Sequence, residues 1–411
     1  MYTAIFDTST FSISCIEARH NMENVNSSSR LWSKDFYLVM VVTVLAMTAI
    51  TTQMGTMPLY VASLGGSKAV SGAIVGVLGL SALFCRLPIG VALDRYGRKV
   101  LLCMGLAILL IDFSLLNLLQ GLLMLFCLRI LQGVVNSLQA TAAATMAVDT
   151  IPEGKLAVGL GYFSIAQAVP SAIGPLIGLA VVENYGFPVL FRMAVLLSGT
   201  AFLLSFFLKE QPFSRRNTHS GEAKSSLREL LRIKAVVFPS GILFLICFAN
   251  SGVVAFIAQY ALEREIIGAG YYFTVMSIMT VTTRVVFPRL LAKIQTATLI
   301  YGSLLLILVS FCLLPFTTQL SSLLLAASCY GVGYAGLLPV MNTIVLESVS
   351  EAQRGQGTAV FSAALDVAYG GGAFLWGIIA SLFGFDMMFF GCGLFACGAM
   401  IVYRYFQLSQ R

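Results

Sequence analysis

Twelve stretches of about 20 mostly apolar residues follow one another along this chain of 411 residues, and each is long enough to cross a lipid bilayer as an α-helix. Hydrophobic residues make up 58% of the chain and charged residues 10%, whereas roughly a quarter of a soluble domain is charged. We therefore predict an all-α membrane protein with twelve transmembrane helices, and a soluble enzyme is excluded. The predicted spans, numbered 1 to 12, are 36–58, 71–92, 100–119, 122–147, 157–181, 190–208, 236–258, 268–287, 298–316, 322–346, 357–380 and 387–407.

A polar segment divides the spans into two groups of six. Residues 210–235 are rich in Ser, Arg, Lys and Glu, and they are predicted to link an N-terminal bundle, 36–209, to a C-terminal bundle, 236–408. Residues 1–35 contain no apolar core led by basic residues, so we interpret them as a cytoplasmic tail and not as a secretory signal. Met22 is an alternative start, because a polar leader already follows it.

The distribution of basic residues predicts the orientation. With both termini on the cytoplasmic side, 19 of the 25 Lys and Arg residues lie in cytoplasmic segments, three lie outside and three lie within spans. Cytoplasmic loops of membrane proteins carry such an excess of positive charge. We therefore attribute the net charge of +7 to membrane topology and not to nucleic-acid binding. The predicted location is the cytoplasmic membrane, with the lipid bilayer as a partner.

An internal repeat relates the two groups of spans. A shift of 198 positions aligns Arg86 with Arg284 and Gly133 with Gly331, and between 159 and 191 it matches nine of 33 positions. One register that serves several helices predicts two pseudo-symmetric six-helix bundles, related by an axis along the membrane normal, with a binding site between them. The alternative interpretation is coincidence among Gly and Phe residues.

A charged cluster lies in the predicted loop between spans 2 and 3. Gly90 and Gly97 permit close helix packing and a tight turn, and the cluster can form a conformational latch between helices. The segment resembles the signature G-x-L-a-D-r-x-G-r-k of the major facilitator superfamily, with Ala92-Leu93 in place of the L-a pair. The residues of the predicted latch are Gly90, Asp94, Arg95, Gly97, Arg98, Lys99 and Asp149.

Two further motifs extend the resemblance to residues 36–408. Residues 128–133 resemble the family's second motif, whose arginine, Arg129 in this chain, is linked with proton transfer. Gly174, Pro175 and Gly178 resemble the G-P-x-x-G antiporter motif that is typical of the drug:proton antiporters. The resemblance implies the major facilitator fold.

The resemblance also implies the contacts of the latch. Asp94 would dock on the N-terminus of span 11 near Gly355 and Gly357, and Arg98 would pair with Asp149 at the end of span 4. These contacts would keep the inner side closed in the outward-open state.

Ionisable side chains within spans are costly in lipid, so they are functional candidates. Asp366 and Arg86 lie at comparable depth on spans that are neighbours in the family, and Asp112 and Arg129 lie on consecutive antiparallel helices. We predict both as pairs, with structural ion pairing as the alternative to a functional role. Both histidines lie outside the spans, so a carboxylate must bind any coupling proton. The predicted proton-coupling network is Asp366, Arg86, Arg129, Asp112 and Arg284.

Arg284 has no evident acidic partner. The repeat places it at the position of Arg86, but the position equivalent to Asp366 is Ala168. We therefore expect Arg284 to face Gln167 or the backbone, or to contact an anionic group of the substrate.

The resemblance assigns the cavity to spans 1, 4, 7 and 10. Their uncharged amides and aromatic rings suit amphipathic or aromatic cargo, although helix packing is the alternative role of each aromatic residue. The candidate cavity residues are Gln53, Tyr60, Asn136, Gln139, Asn250, Gln259, Tyr330, Tyr334 and Asn342.

Together these features predict a proton-coupled secondary exporter of small amphipathic molecules, drugs or metabolites, that works as a monomer by alternating access. The proton is the coupling ion, and no cofactor or metal site is expected. The alternatives are a proton- or sodium-coupled nutrient importer, a dedicated exporter of one metabolite such as a metallophore or sugar, and a transport-inactive sensor. An enzyme is not predicted, because the chain contains no nucleotide loop, metal cluster or nucleophile–histidine arrangement.

Overall fold

The computed structural model describes residues 33–118, 121–152, 155–209, 232–291, 295–349 and 354–410. The predicted tail, except for its last residues, and most of the predicted linker lie outside these ranges. The helices are α1 Lys34–Thr51, α2 Thr56–Ser63, α3 Lys68–Tyr96, α4 Arg98–Leu118, α5 Leu122–Thr150, α6 Leu156–Tyr185, α7 Phe187–Ser205, α8 Lys234–Glu263, α9 Gly270–Leu291, α10 Thr296–Leu313, α11 Leu320–Glu347 and α12 Arg354–Gln410.

Local signals in the sequence explain where several helices begin. Ser33 and Ser67 precede α1 and α3, and each side chain accepts a hydrogen bond from the backbone N–H three residues later. Such caps satisfy N–H groups that have no partner within the helix.

Two predicted span boundaries differ from the observed helices. Span 1 is divided into α1 and α2, and the break ends at Gly55, whose φ is 77°. Spans 11 and 12 form one helical run, α12, which is interrupted at Gly384 with φ 85°. Both interruptions use a positive φ, which glycine adopts at little steric cost. Span assignment by mean hydropathy does not show either feature, because long apolar runs flank the short polar stretch of the first break and adjoin the second.

The predicted loop between spans 2 and 3 is also wrong in its extent. α3 continues to Tyr96 and α4 begins at Arg98, so the turn consists of Gly97 alone, with φ 90°. Asp94 and Arg95 therefore belong to the last turn of α3. The apolar run of a span stops at the first charged residues, but the helix continues through them.

Every predicted span nevertheless overlaps one or two of the observed helices. Among the described residues, ten helical segments are long and apolar enough to cross a membrane, and one of them contains both spans 11 and 12. α9 matches span 8 but is not one of the ten, because its Ser and Thr residues and Arg284 lower its hydropathy. The all-helical architecture that the sequence predicts is confirmed.

Buried apolar side chains form two clusters, one made by residues 36–208 and the other almost wholly by residues 236–406. The internal repeat is visible in how each cluster packs. An added Cβ on Gly133 of α5 would overlap the backbone of Leu78 in α3, and one on Gly331 of α11 would overlap the backbone of Met276 in α9. Both contacts are related by the shift of 198 residues, so equivalent helices pack in the same register in the two halves.

Candidate functional site

The segment between the halves leaves α7 and enters α8 at one end of the molecule, which we call the linker end; the opposite end is the far end. The turn at Gly97 lies at the linker end. Arg98 forms an ion pair with Asp149 of α5, the pairing that the resemblance implies. The Lys99 ammonium donates a hydrogen bond to the backbone oxygen of Phe206 at 3.0 Å, where the C-terminus of α7 favours a cation.

The other residues of the predicted latch show no such contact among the side chains that the structure describes. The Arg95 side chain is exposed. Gly90 and Asp94 lie outside the residues whose side chains the structure describes, and so does Gly355. The docking of Asp94 on the start of α12 therefore stays a prediction, as does the conformational role of the latch.

The antiporter-like motif holds α6 close to α1. A Cβ on Gly174 would overlap the Thr51 side chain, and one on Gly178 would overlap the backbone of Thr52. The Thr51 hydroxyl donates a hydrogen bond to the carbonyl oxygen of Pro170 at 2.8 Å. The motif thus fixes α6 against the break between α1 and α2.

Arg129 of α5 reaches the same break from the interior of the N-terminal half. Its guanidinium is buried and donates one hydrogen bond to Oε1 of Gln53 at 2.8 Å and a second to Oε1 of Gln132. Gln53 lies in the break, directly after Thr52. A buried guanidinium needs such partners, and here one of them belongs to the α1 break that the antiporter-like motif contacts.

Asp112 of α4 does not form the direct pair with Arg129 that the sequence predicts. Its side chain is 0% exposed, and neither carboxylate oxygen has a hydrogen-bond partner among the described residues. Arg129 acts on it electrostatically. The prediction is wrong because Gln53 and Gln132, two neutral acceptors, occupy the terminal nitrogens of the guanidinium instead.

More buried polar atoms surround this network. Gln139 is 0% exposed, and neither its amide oxygen nor its amide nitrogen has a described partner; Oδ1 of Asn136 also lacks one. Buried polar groups in folded proteins are usually hydrogen-bonded. The interior of the N-terminal half is therefore a candidate functional region and not an ordinary apolar core.

The two halves meet along two seams that the internal repeat relates. In the first, which we call the glycine seam, Gly72, Gly76 and Gly79 of α3 face Gly370 and Gly377 of α12. An added Cβ on Gly76 would overlap the backbone oxygen of Gly370, and the Cβ position of Gly377 is 2.8 Å from the Cα of Gly72. Small residues let membrane helices approach this closely.

Asp366 lies next to the glycine seam. Its side chain is half-buried, and its backbone oxygen lies 3.7 Å from the Cβ position of Gly79. Arg86 is seven residues beyond Gly79 on α3, toward the linker end, and its side chain lies outside the described part of the chain. The pair of Asp366 and Arg86 therefore stays a prediction.

The second seam, which we call the open seam, lies between α6 and α9. At the far end its helices touch, since the Cβ position of Gly270 is 3.1 Å from Leu176. Toward the linker end they diverge around a cavity of about 370 Å³. Aromatic rings, small polar side chains and one cation line it, among them Ala168, Ser171, Pro175, Asn250, Phe273, Thr280, Arg284, Tyr330, Tyr334 and Tyr369.

Arg284 is the cation of this cavity. Its side chain is exposed, no Asp or Glu is among the lining residues, and it makes no hydrogen bond or ion pair with the described residues, Gln167 included. On α6, the stripe that faces the cavity continues toward the linker end with Ser164 and Gly161, which are both exposed; a Cβ on Gly161 would meet nothing within 4 Å. The cavity is therefore open toward the linker end.

Hydroxyl and amide groups of the C-terminal half form the opposite wall of the cavity. The Tyr330 and Tyr334 rings are stacked with centroids 5.5 Å apart, and the Asn250 amide donates to the Tyr369 hydroxyl at 3.5 Å. Oδ1 of Asn250 and the Tyr330 hydroxyl are buried and lack a described partner. This wall therefore offers unused hydrogen-bonding groups beside aromatic surface.

A smaller cavity of about 180 Å³ lies on the other side of Met54. Gln53, Arg129 and Asn136 line it, and it shares Met54 and Tyr369 with the larger cavity. The buried charge of the N-terminal half therefore borders the space between the halves.

Contacts at the far end join the two halves. The Gln259 amide nitrogen donates to the backbone oxygen of Pro58 at 2.6 Å, and Lys68 forms an ion pair with Glu263 at 2.8 Å. One half contributes Pro58 and Lys68, and the other contributes Gln259 and Glu263. These contacts hold the halves together at the far end, beside a cleft of about 990 Å³ that both halves line, while the open seam faces the linker end.

Five of the nine predicted cavity residues line the two central cavities: Gln53, Asn136, Asn250, Tyr330 and Tyr334. Of the other four, Gln259 lines a third cavity, of about 990 Å³, at the far end, and Tyr60, Gln139 and Asn342 line none of these three cavities. Tyr60 packs with its ring centroid 5.0 Å from those of Phe187 and Phe191, and Gln259 bonds the far-end backbone. Gln139 is enclosed in the N-terminal half, and Asn342 is half-buried in α11.

Three helices that the resemblance does not assign to the cavity, α6, α9 and α12, also contribute to it. Ala168, Phe273, Thr280 and Tyr369 line the larger cavity, yet the resemblance directs attention to spans 1, 4, 7 and 10. Arg284 was the available signal, because an unmatched charge within a span indicates that its helix faces a polar space.

Comparison with known proteins places these features in a family. The model of the Major Facilitator Superfamily matches residues 39–335 and 267–411. The multidrug resistance protein MdtG of Enterobacter lignolyticus is 26% identical over 383 residues, which cover 87% of this chain and 88% of that protein. The staphylopine export protein of Staphylococcus aureus is 22% identical over 363 residues, covering 84% and 89%.

A solved structure agrees with the architecture. The bacterial homologue of the human lysosomal transporter Spinster, in an inward-facing and unoccupied conformation, superposes with a TM-score of 0.78 at 14% identity, covering 93% of this chain and 98% of that one. At this identity the likeness establishes the fold and nothing about the cargo.

Proposed function

This chain belongs to the Major Facilitator Superfamily, whose members are transporters and not enzymes, and from that premise we propose that it is a proton-coupled exporter of small amphipathic molecules. It is a multi-pass membrane protein, and we place it in the cytoplasmic membrane with both termini in the cytoplasm. In that orientation, the open seam of this structure faces the cytoplasm.

The nature of the two cavities supports export of amphipathic cargo. Aromatic rings and methionines provide adaptable apolar surface, and amides and hydroxyls provide a few oriented polar contacts, as in most small-molecule sites. Two relatives carry the words multidrug resistance and export in their names.

One observation carries the antiporter proposal: the antiporter-like motif is connected to the buried charge. Gly174 and Gly178 contact Thr51 and Thr52, and the next residue, Gln53, accepts a hydrogen bond from Arg129. A movement of α6 relative to α1 would therefore displace a partner of Arg129. Because Arg129 acts on Asp112, the same movement would change how favourable a negative charge is there.

We assign the coupling proton to the carboxylates within the spans. Asp366 is the principal candidate, because it borders the interface between the halves, where its charge state can affect how α3 and α12 pack. Asp112 is the second candidate, because an ionised carboxylate without hydrogen-bond partners is costly in a buried site, and a bound proton removes that cost.

The test is gradient-driven uptake of a mixed dye and metabolite library into everted vesicles, with three matched Asp→Asn variants. Asp366→Asn and Asp112→Asn remove a carboxylate within spans, while Asp386→Asn removes an exposed one at the far end. We expect Asp366→Asn to fold and to lose accumulation, Asp112→Asn to lose some or all of it, and Asp386→Asn to resemble the wild type.

Two results would contradict the proposal. Normal gradient-driven accumulation by Asp366→Asn would remove that residue from the coupling mechanism. Accumulation only in right-side-out vesicles would identify an importer on the same fold. Accumulation of a single compound would favour the dedicated metabolite exporter, which the relationship to the staphylopine export protein supports.

A further inference from the structure

The two seams are equivalent by the repeat, but only one of them has an acidic residue at the relevant position. α3 and α12 carry Arg86 and Asp366; the equivalent positions on α9 and α6 are Arg284 and Ala168. Arg284 and Ala168 line the same 370 Å³ cavity. The open seam thus contains the arginine of the repeated pattern and, where the acid would stand, a methyl group and open space.

We propose that the anionic group of the substrate occupies this space and binds Arg284, so that the cargo is an amphipathic organic anion, a carboxylate with an aromatic or apolar body. This inference rests on the proposed transport function and names the substrate class of its cavity. A guanidinium matches a carboxylate with two parallel N–H donors, and no acid among the described lining residues competes for it.

A second, independent feature of the cavity points to a ligand. Oδ1 of Asn250 and the hydroxyl of Tyr330, both nearly fully buried, have no partner among the described residues, although both residues line the cavity. Buried polar atoms of this kind are usually satisfied. A bound molecule with polar atoms next to its carboxylate would supply the partners.

The remaining walls indicate the body of the cargo. Phe273, Tyr334 and Tyr369 contribute aromatic surface, and Met54 and Met276 contribute flexible apolar surface. A volume of about 370 Å³ suits a compact molecule near the lower end of the range of known ligand sites. The ligand that fits this cavity therefore carries a negative charge at one end and an aromatic or apolar body along the remainder.

The test is calorimetric titration of the purified full chain in detergent with matched pairs of probes: 1-naphthoate and 1-naphthamide, indole-3-acetate and indole-3-acetamide, 4-phenylbutyrate and 4-phenylbutyramide. The variants are Arg284→Gln, Arg284→Lys and, as a control with the same loss of charge at an exposed site of α12, Arg404→Gln. We expect the wild type to bind at least one carboxylate about 10- to 100-fold more tightly than its amide. Arg284→Gln should abolish this preference, Arg284→Lys should retain part of it, and Arg404→Gln should leave it unchanged.

Equal affinity for carboxylates and amides, no binding of any carboxylate, or a preference that persists in Arg284→Gln would each overturn the inference. If Arg284→Gln does not fold, Ala168→Asp tests the same point. The new carboxylate should pair with Arg284 and abolish the preference for carboxylates over amides. The titration needs no proton gradient. Carboxylate binding without gradient-driven transport would therefore refute the proposed function alone, and transport without a carboxylate preference would refute this inference alone.

Discussion

The glycine seam and the open seam are built on equivalent helices, but they differ in what fills them. In the glycine seam, Gly76 lies directly on the backbone of Gly370, which leaves no room for a side chain between α3 and α12 at that position. In the open seam, α9 presents Phe273, Thr280 and Arg284 to α6 across a cavity. The same backbone arrangement thus produces a tight joint on one side of the molecule and a chamber on the other.

This difference indicates how the internal repeat supports transport. Symmetry of the backbone lets the halves rock about an interface, whereas side-chain asymmetry decides which side of the interface holds cargo. We interpret the glycine seam as the joint that keeps the halves together and the open seam as the wall of the binding site.

The largest effect is expected when the glycine seam is filled. Gly76→Ala places a Cβ against the backbone oxygen of Gly370, and overpacking of this kind costs about 1–3 kcal/mol, so we expect a lower Tm and reduced transport. Gly302→Ala is the matched control, because nothing lies within 4 Å of that Cβ and alanine stabilises a helix interior by about 0.5–1 kcal/mol. Equal shifts in the Tm of both variants would refute the tight joint.

An intermediate effect is expected when the missing acid is supplied to the open seam. Ala168→Asp should pair with Arg284 and weaken carboxylate binding by more than about 10-fold, with little change in Tm. Ala168→Asn is the matched control, since it adds similar volume without charge and should weaken binding less. Calorimetric titration of both variants with 1-naphthoate makes the comparison, and equal loss in both would show that volume and not charge is responsible.

The smallest effect is expected at the far-end ion pair between the halves. Lys68 and Glu263 are partly exposed, so their pair contributes at most about 1 kcal/mol, and Lys68→Gln should change the Tm only slightly. It should, however, loosen the far-end contact. The probe is the thiol that Leu179→Cys introduces at a site where the native side chain is 2% exposed; in that background, Lys68→Gln should make position 179 react faster with a membrane-impermeant thiol reagent.

Arg264→Gln is the control for this prediction. It breaks a two-oxygen contact with Asp386 at 2.7 and 2.9 Å, but both partners belong to the C-terminal half. We expect no change in the labelling rate at position 179. If both variants increase the labelling rate at position 179 equally, then the loss of a charge, and not the contact between the halves, controls that rate.

Some site residues were predictable because their chemistry is unusual in a membrane. Arg129, Asp112 and Arg284 are recognisable as charges inside apolar spans, and Gly174 and Gly178 are recognisable by their spacing. Their partners were harder to predict. The expected pair of Asp112 and Arg129 failed because Gln53 enters from a helix break that the hydropathy of span 1 does not show.

The choice of cavity residues had a similar limit. Tyr60 and Gln139 are residue types that often line cavities, but their rotation about the helix axis directs them to an aromatic cluster and to the interior of one half. Rotation is decided by packing between helices. An apolar stripe predicts rotation for a surface helix in water, but lipid and core are both apolar, so membrane helices lose most of that signal.

The sequence by itself determined the all-helical membrane architecture, the internal repeat and the family, because the energetic cost of exposing polar backbone and charge to lipid acts on each segment separately. Only the tertiary structure decided where the halves touch, which seam is sealed and which side chains share a cavity. These depend on contacts between residues roughly 90 to 300 positions apart in the sequence, where a difference of one methyl group, as at Gly76 or Ala168, changes what fits.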